Sequence, residues 1–415
     1  MKKSEERHRP GSRNNRNGKK NRDLKSICLL LFSALFIFTG CHDDEDIPEI
    51  PASTTVLVYM AADNSMDSDV NYSLEQLKTG ATKSSGTTVV YLDRENETPR
   101  LLEITHDGEE VLLKNYDEEN SASAETLARV IRETKELKPA DRFGLVLWSH
   151  AMGWLPYGYS TTTLATRKVA NSFPRTRYIG IDSHPGNSSP GSNVMDIKEM
   201  AEKIPAGTAE FILFDVCLMG SVEALYELRH TCNYMIASPT EVLAEADWDA
   251  SGMPYDEVLP LLSGDEEDLV RACQAYYNHY NGLSSEILRS ATISLVDAAQ
   301  LDVLYQVAES ILQGKLSQAG DMSVNGLQIY YTPAIPHVFF DLGDVMQQLS
   351  SNDEYARFKE QLANTVLYKA ATSQFINMTI DPDHFSGLSS YVPLNKWSGN
   401  TEYAYYFTME WSGVY

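Results

Sequence analysis

Two residues of this chain have the type and setting for covalent chemistry: a cysteine and a histidine, each delivered by a short apolar run. Cys217 closes Phe-Ile-Leu-Phe-Asp-Val-Cys, which begins at Phe211, and His150 closes Phe-Gly-Leu-Val-Leu-Trp-Ser-His, which begins at Phe143. A thiol beside an imidazole makes a nucleophile with a proton partner, because the thiolate is the reactive form and the ring holds or removes its proton. A lone cysteine after an apolar strand is ordinarily a core residue, so the matching histidine is what turns the reading towards catalysis. Asp215 lies two positions before Cys217. Residues two apart on an extended strand face the same side, so this carboxylate is expected to share a cleft with the thiol, unless it only accepts hydrogen bonds from the following turn. Rival chemistries find no support. There is no G-x-S-x-G elbow of a serine hydrolase, and no CxxC pair or HExxH that would mark zinc, so no metal site is expected.

The elements that position these residues read as alternating strands and helices. Phe211 to Phe214 is wholly apolar, the pattern of a strand buried on both faces, although periodicity alone does not separate it from a buried helix segment. Val222, Leu225 and Leu228 then fall at helical spacing, which predicts Cys217 at a strand-to-helix junction. A helix N-terminus there lowers a thiol pKa, and open α/β sheets place ligands at the carboxyl ends of their strands. Upstream, Thr54 to Ala62 and Thr87 to Asp93 read as strands, with Val70, Leu74 and Leu77 forming a helical stripe between them. A hairpin turns at Asp107-Gly108, and a helix capped by Ser123 ends at Pro139. This alternation predicts an α/β fold, a mainly parallel sheet flanked by helices, with His150 and Cys217 on consecutive core strands. Between them, residues 157–193 form a long polar loop dotted with Arg167, Lys168, Arg175 and Arg177, and Asp196-Ile-Lys-Glu199 opens the next helix. After Tyr234 to Ser238, a further strand, comes an acidic loop with Glu241, Glu245, Asp247 and Asp249. In the C-terminal part, Leu269 to Tyr280 and Leu301 to Leu312 read as helices, whereas Thr292 to Val296, Gly326 to Tyr331 and the aromatic-rich last segment read as extended.

The N-terminus carries a different signal. Residues 1–25 are basic, Ile27 to Phe38 is an apolar run too short to span a bilayer, and Phe38-Thr-Gly-Cys41 is similar to the lipobox of bacterial lipoproteins, with Phe in place of the usual leucine. We therefore expect a signal peptide over residues 1–40, lipidation of Cys41 and an acidic, proline-punctuated tether over 41–52. A catalytic domain over 53–258 and a C-terminal α+β subdomain over 259–415, packed on it, follow. Residues 1–40 hold ten Lys/Arg against three Asp/Glu, so their removal deepens the net charge from −24 to about −31, which excludes nucleic acid and favours cationic partners. The remaining cysteines, Cys217, Cys232 and Cys273, are odd in number and irregularly spaced, which argues against a disulfide framework while leaving one oxidised pair open. The expected location is extracytoplasmic, on a bacterial membrane, the outer membrane or cell surface included.

At this point the chain resembles the clostripain family of cysteine peptidases, in the caspase-like clan. Val58-Tyr-Met-Ala-Ala-Asp-Asn64, Trp148-Ser-His-Ala151, Phe214-Asp-Val-Cys-Leu-Met219 and Ile236-Ala-Ser238 carry the likeness, and the order of His before Cys agrees. It departs from the family at Ala151, where glycine is usual, and at Val216, where alanine is. The resemblance implies a caspase-like fold and an endopeptidase that cleaves polypeptides after Arg or Lys, with catalytic His150 and Cys217 and with the N–H groups of Ala151 and Cys217 facing the oxyanion. It also implies that Asp215 lines the specificity pocket, with a second carboxylate from Glu241, Glu245 or Asp247. Asp63 either borders the cleft or serves its turn. Self-cleavage is expected in the 157–193 loop, at Arg167, Lys168, Arg175 or Arg177. No cofactor is required by this chemistry; calcium, which clostripain uses, stays an open option without an EF-hand-type loop behind it. The competing reading is a weak or inactive relative acting as a surface binding protein, and it rests on Ala151, which would be strained if the turn demanded a positive φ.

Overall fold

In a computed structural model, residues 52–156, 179–184, 193–245, 250–332, 336–381 and 384–415 are described. The first strand sets the pattern. β1 (Ala52–Ala62) sends Leu57, Tyr59 and Ala61 into one core layer and Val56, Val58, Met60 and Ala62 into the other, so a continuous apolar run is what a strand covered on both faces requires. β2 (Thr87–Arg94), β3 (Arg100–Ile104), β4 (Glu110–Asn115), β5 (Ala140–Trp148), β6 (Ala209–Asp215) and β7 (Cys232–Ala237) follow. Beyond two short strands, β8 (Ala244–Glu245) and β9 (Ala250–Ser251), comes β10 (Thr292–Asp297), then β11 (Phe340–Asp341) and β12 (Val366–Ala371).

Nine of these strands make one sheet in the order β12-β10-β7-β6-β5-β1-β2-β3-β4. The five central strands, β7 to β2, run parallel, while the β3–β4 hairpin closes one edge and β10 and β12 the other, both antiparallel. The C-terminal region thus completes the sheet that carries the candidate site. Gly144 permits the tight fit of β5 on β6: a Cβ there would sit 2.2 Å from the Phe211 ring. Helices α1 (Val70–Ala81), α2 (Ala124–Leu137), α3 (Ile197–Lys203), α4 (Val222–Leu228), α5 (Tyr255–Val258), α6 (Glu266–Asn281) and α7 (Leu301–Leu312) are amphipathic or wholly buried and cover the two faces.

Two expectations of extended structure fail. Residues 326–331 make a turn and a single bridge, Ile329 to Phe340, rather than a strand. The aromatic-rich end is helical at Thr401–Tyr406 and Glu410–Val414, because Tyr406 and Trp411 bury themselves against Trp154 and Tyr226 as helix-face residues. Cys217, Cys232 and Cys273 are all free and buried. Among the described residues no helix is long and apolar enough to cross a membrane. Cys41 and the rest of residues 1–51 lie outside the described residues.

Candidate active site

Parallel pairing brings the histidine and the cysteine to the same level. The last registered pair of β5 and β6 is Trp148 with Asp215, and His150 and Cys217 each follow two residues later on strands roughly 4.8 Å apart. Both side chains are buried, each 7% exposed. The His150 Nε2 lies 2.9 Å from Ser65 Oγ, and the His150 carbonyl accepts the Gly180 N–H at 2.9 Å. Burial pushes the imidazole down to about 4, so the ring is neutral at pH 7.

Cys217 faces a different partner. Its Sγ accepts the Val242 N–H at 3.4 Å, which ties the cysteine turn to the acidic loop. Burial pushes the thiol up to about 12, with Glu241 and Asp215 adding to the rise and the Val242 N–H opposing it. The expected depression by a helix N-terminus is absent because α4 begins only after Ser221, whose hydroxyl accepts the Ala224 N–H and caps it. Between thiol and helix the chain makes a turn with Leu218 at φ 63°, held by Leu218 N–H to the Thr240 carbonyl and Gly220 N–H to the Ser238 carbonyl, at 2.9 and 2.8 Å. The left-handed positions therefore fall on Leu218 and Gly153, and Ala151 is not one of them. Alanine fits there without strain. Among the described residues, neither the Ala151 nor the Cys217 N–H is engaged by a turn or loop carbonyl.

Asp215 is 4% exposed and sits on the flank of α5 and α6. Its Oδ2 accepts the Tyr255 hydroxyl at 2.7 Å, and the Met253 N–H also donates to it. Gly252, at φ +67°, lets the chain pass: a Cβ there would stand 3.0 Å from Asp215 Oδ1. Burial pushes the carboxyl up to about 7. Tyr276, fully buried on α6, feels the charge of both Asp215 and Cys217, and its hydroxyl has no hydrogen-bond partner among the described residues. Carboxylate and thiol thus border one region. Glu241 lies beside it, buried, with its carboxyl pushed up to about 8 by desolvation.

The other expected residues are placed less centrally. Glu245 lies in β8, with its side chain outside the described residues, as is Asp247 altogether. Asp63, 1% exposed, is bound to His184 Nδ1 at 2.9 Å rather than to any residue of the thiol region. Arg167, Lys168, Arg175 and Arg177 lie outside the described residues. Ser65, Val242, Tyr255 and Tyr276 were not singled out from the sequence. Ser65 reads as turn and the two tyrosines as helix core, and only the fold brings them to the site.

Comparison with known proteins agrees with this geometry. The profile of the clostripain family matches residues 58–407. Among solved structures, an inactive zymogen C11 protease from Parabacteroides distasonis superposes with a TM-score of 0.73 at 29% identity, covering 88% of this chain and 99% of that one. A secreted C11 cysteine protease from Bacteroides thetaiotaomicron, in complex with an irreversible peptide inhibitor, gives 0.69 at 26% identity, again over 88% and 99%. No curated protein matches the chain.

Proposed function

The chain belongs to the clostripain family of cysteine peptidases, and we propose that it cleaves peptide bonds after Arg or Lys with Cys217 as nucleophile and His150 as its proton partner. The observation that carries the specificity is the buried Asp215 carboxyl, two residues before Cys217, with no basic side chain bonded to it among the described residues. A guanidinium or ammonium from the substrate supplies the missing cation, and Arg adds paired hydrogen bonds. The partnerless Tyr276 hydroxyl on the same flank is available to that side chain.

In the reaction, neutral His150 accepts the Cys217 proton as the sulfur attacks the scissile carbonyl, and water later hydrolyses the acyl-enzyme. The Ala151 and Cys217 N–H groups face the oxyanion. A resting precursor is the reading supported by the thiol bound to Val242 and the imidazole bound to Ser65. Cleavage in the 157–193 loop at Arg167, Lys168, Arg175 or Arg177 releases the active form, a reading in line with the zymogen state named for the Parabacteroides protein. The sequence supports a lipid anchor on Cys41 and an extracytoplasmic site of action, and the Bacteroides neighbour is described as secreted.

The test is hydrolysis of fluorogenic peptides ending in Arg, Lys, Asn and Asp, before and after nicking with trypsin, beside a Cys217→Ala control. Turnover of the Arg or Lys peptide alone, abolished in the control, is expected. Equal turnover of the Asn peptide would remove the acidic-pocket argument.

A further inference from the structure

The turn that carries Cys217 is held from two sides, and one of them is built around a buried acid. On the first side, Leu218 and Gly220 donate to the carbonyls of Thr240 and Ser238. On the second, the short strand Ser389–Ser390, which pairs with β11, runs alongside. The Ser389 N–H donates to the Gly220 carbonyl at 2.9 Å, and Ser221 and Ser389 form an isolated parallel bridge. Glu223, the second residue of α4, fixes this strand. It is 0% exposed, and its Oε1 accepts both the Tyr391 N–H at 2.7 Å and the Ser390 hydroxyl at 3.0 Å.

The same stretch reaches the histidine turn. The Tyr391 ring packs on Trp154 with centroids 5.0 Å apart, and Tyr406 closes on the pair at 5.0 Å from Tyr391 and 5.9 Å from Trp154. Trp154 follows Gly153, which adopts φ +57° just beyond His150, Ala151 and Met152. A Cβ at Gly153 would stand 2.5 Å from the Leu218 carbonyl oxygen, so the turns after His150 and after Cys217 touch there. Residues 389–391 pack on both turns, and Glu223 is the buried polar tie that holds them. A carboxyl is a costly way to fill that space: its Oε2 is buried without a hydrogen-bond partner, and no basic side chain is bonded to it among the described residues. An apolar side chain would avoid the cost but would leave the Tyr391 N–H without its acceptor and the strand without its anchor.

We propose that Glu223 is a positioning residue of the peptidase: by holding Ser390 and Tyr391 it braces the turns that follow Cys217 and His150, and so sets the backbone from which the Cys217 and Ala151 N–H groups meet the oxyanion. It touches neither substrate nor sulfur. The inference rests on the reading of Cys217 and His150 as the reacting pair, and it adds to that reading by giving the C-terminal region a share in the catalytic geometry. Such a brace matters because a misplacement of about 1 Å at reacting groups costs on the order of 100-fold in rate.

The experiment has two arms, each run on Glu223→Gln, Glu223→Ala and Glu223→Leu. Glutamine keeps the accepting oxygen; leucine keeps the volume without it, so the outcome does not hang on the folding of the alanine variant. In the first arm, amide hydrogen exchange is followed in the Cys217→Ala chain. The alanine and leucine variants should speed exchange of the Leu155, Leu218 and Gly220 amides by about tenfold or more and leave the β3–β4 hairpin at the parent rate, while glutamine changes neither. In the second arm, kinetics on the trypsin-nicked chain with an Arg peptide should show kcat falling by about tenfold or more in the leucine variant with KM little changed, and glutamine staying within about threefold of the parent. Leu102→Ala, a core cavity on β3 beyond β1 and β2 from the site, should loosen the hairpin instead and keep the parent kcat. Exchange unchanged in both turns, a glutamine variant as slow as the leucine one, or an equal loss of kcat in Leu102→Ala would overturn the brace. A parent chain that turns over no peptide would strike the nucleophile reading, and the exchange arm would then decide the brace alone.

Discussion

Asp215→Asn separates the two things a buried carboxylate does here, and the structure sets opposite signs for them. In the free protein the carboxyl is raised from 3.8 to about 7 by burial. A raised folded pKa means that this group's contribution to stability is complete below about pH 4 and is lost as pH rises through about 7, on the order of 4 kcal/mol at 1.36 kcal/mol per unit. Asparagine has no such loss. It keeps one accepting oxygen but turns an NH2 towards one of two donors, the Tyr255 hydroxyl and the Met253 N–H, at a cost of about 1–3 kcal/mol. The variant should therefore melt lower than its parent at pH 4.5 and no lower at pH 8.

Catalysis should move the other way. Removing one partner of a buried charge pair costs about 2–5 kcal/mol, so kcat/KM for an Arg peptide at pH 8 should fall by roughly 30-fold to several thousandfold. Thermal melts at the two pH values on the Cys217→Ala background, with kinetics on the parent, measure both effects. A variant that is destabilised at pH 8 yet keeps its preference for Arg would refute the reasoning, since Asp215 would then be a structural acceptor of the turn and nothing more.

Three further outcomes follow from the same structure. Ala151→Gly should change kcat/KM by less than about threefold and cost up to ~1 kcal/mol in chemical denaturation, because residue 151 lies outside the left-handed region and glycine gains only unfolded-state freedom; a tenfold gain would show that the oxyanion turn is strained by alanine. Glu223→Gln should melt no lower than its parent at pH 8, since the Oε1 that accepts Ser390 and the Tyr391 N–H is retained while a carboxyl raised to about 7 is removed. Glu223→Ala strips both donors of that acceptor and should cost ~2–4 kcal/mol in the same melt, and equal behaviour of the two variants would count against the buried hydrogen bonds. Alkylation of Cys217 in the uncut chain should be slow at pH 6 and rise with pH, as expected of a thiol pushed up to about 12, and nicking should speed the pH 6 reaction at least tenfold. A fast reaction before nicking would mean that the resting thiol is already ionised.

Much of the fold was legible because burial on both faces leaves a plain mark. The apolar runs ending at Ala62, Trp148 and Phe214 became β1, β5 and β6, and the hairpin at Asp107-Gly108 formed where the turn residues placed it. Where aromatic content stood in for periodicity the reading failed: Tyr403, Tyr406 and Trp411 belong to helical turns at the C-terminus, packed by their rings and not by a β ladder. The placement of His150 and Cys217 at one edge of the sheet followed from the two apolar runs that end just before them. Their immediate partners did not, because Ser65, Val242 and Tyr276 come from three separate stretches whose local sequence records only turn, loop and helix.

The thiol's state is the clearest case of a local rule overruled by tertiary burial. A strand-to-helix junction predicts a depressed thiol, but the helix begins past Ser221, Cys217 is 7% exposed, and the charges that act on it, Glu241 and Asp215, are negative. Each of these pushes the same way. The buried Asp215 and Glu241 carboxyls and the buried thiol all hold their protons more tightly than in water, chiefly because burial disfavours the charged forms, and none of the described side chains brings a positive charge to them. Under the proposed specificity, a basic substrate side chain is that charge. Its binding favours ionised Asp215 and Glu241 and lets protons leave, so recognition of the basic residue and preparation of the pocket become a single step. An uncharged side chain in the same place would leave the pocket without that attraction.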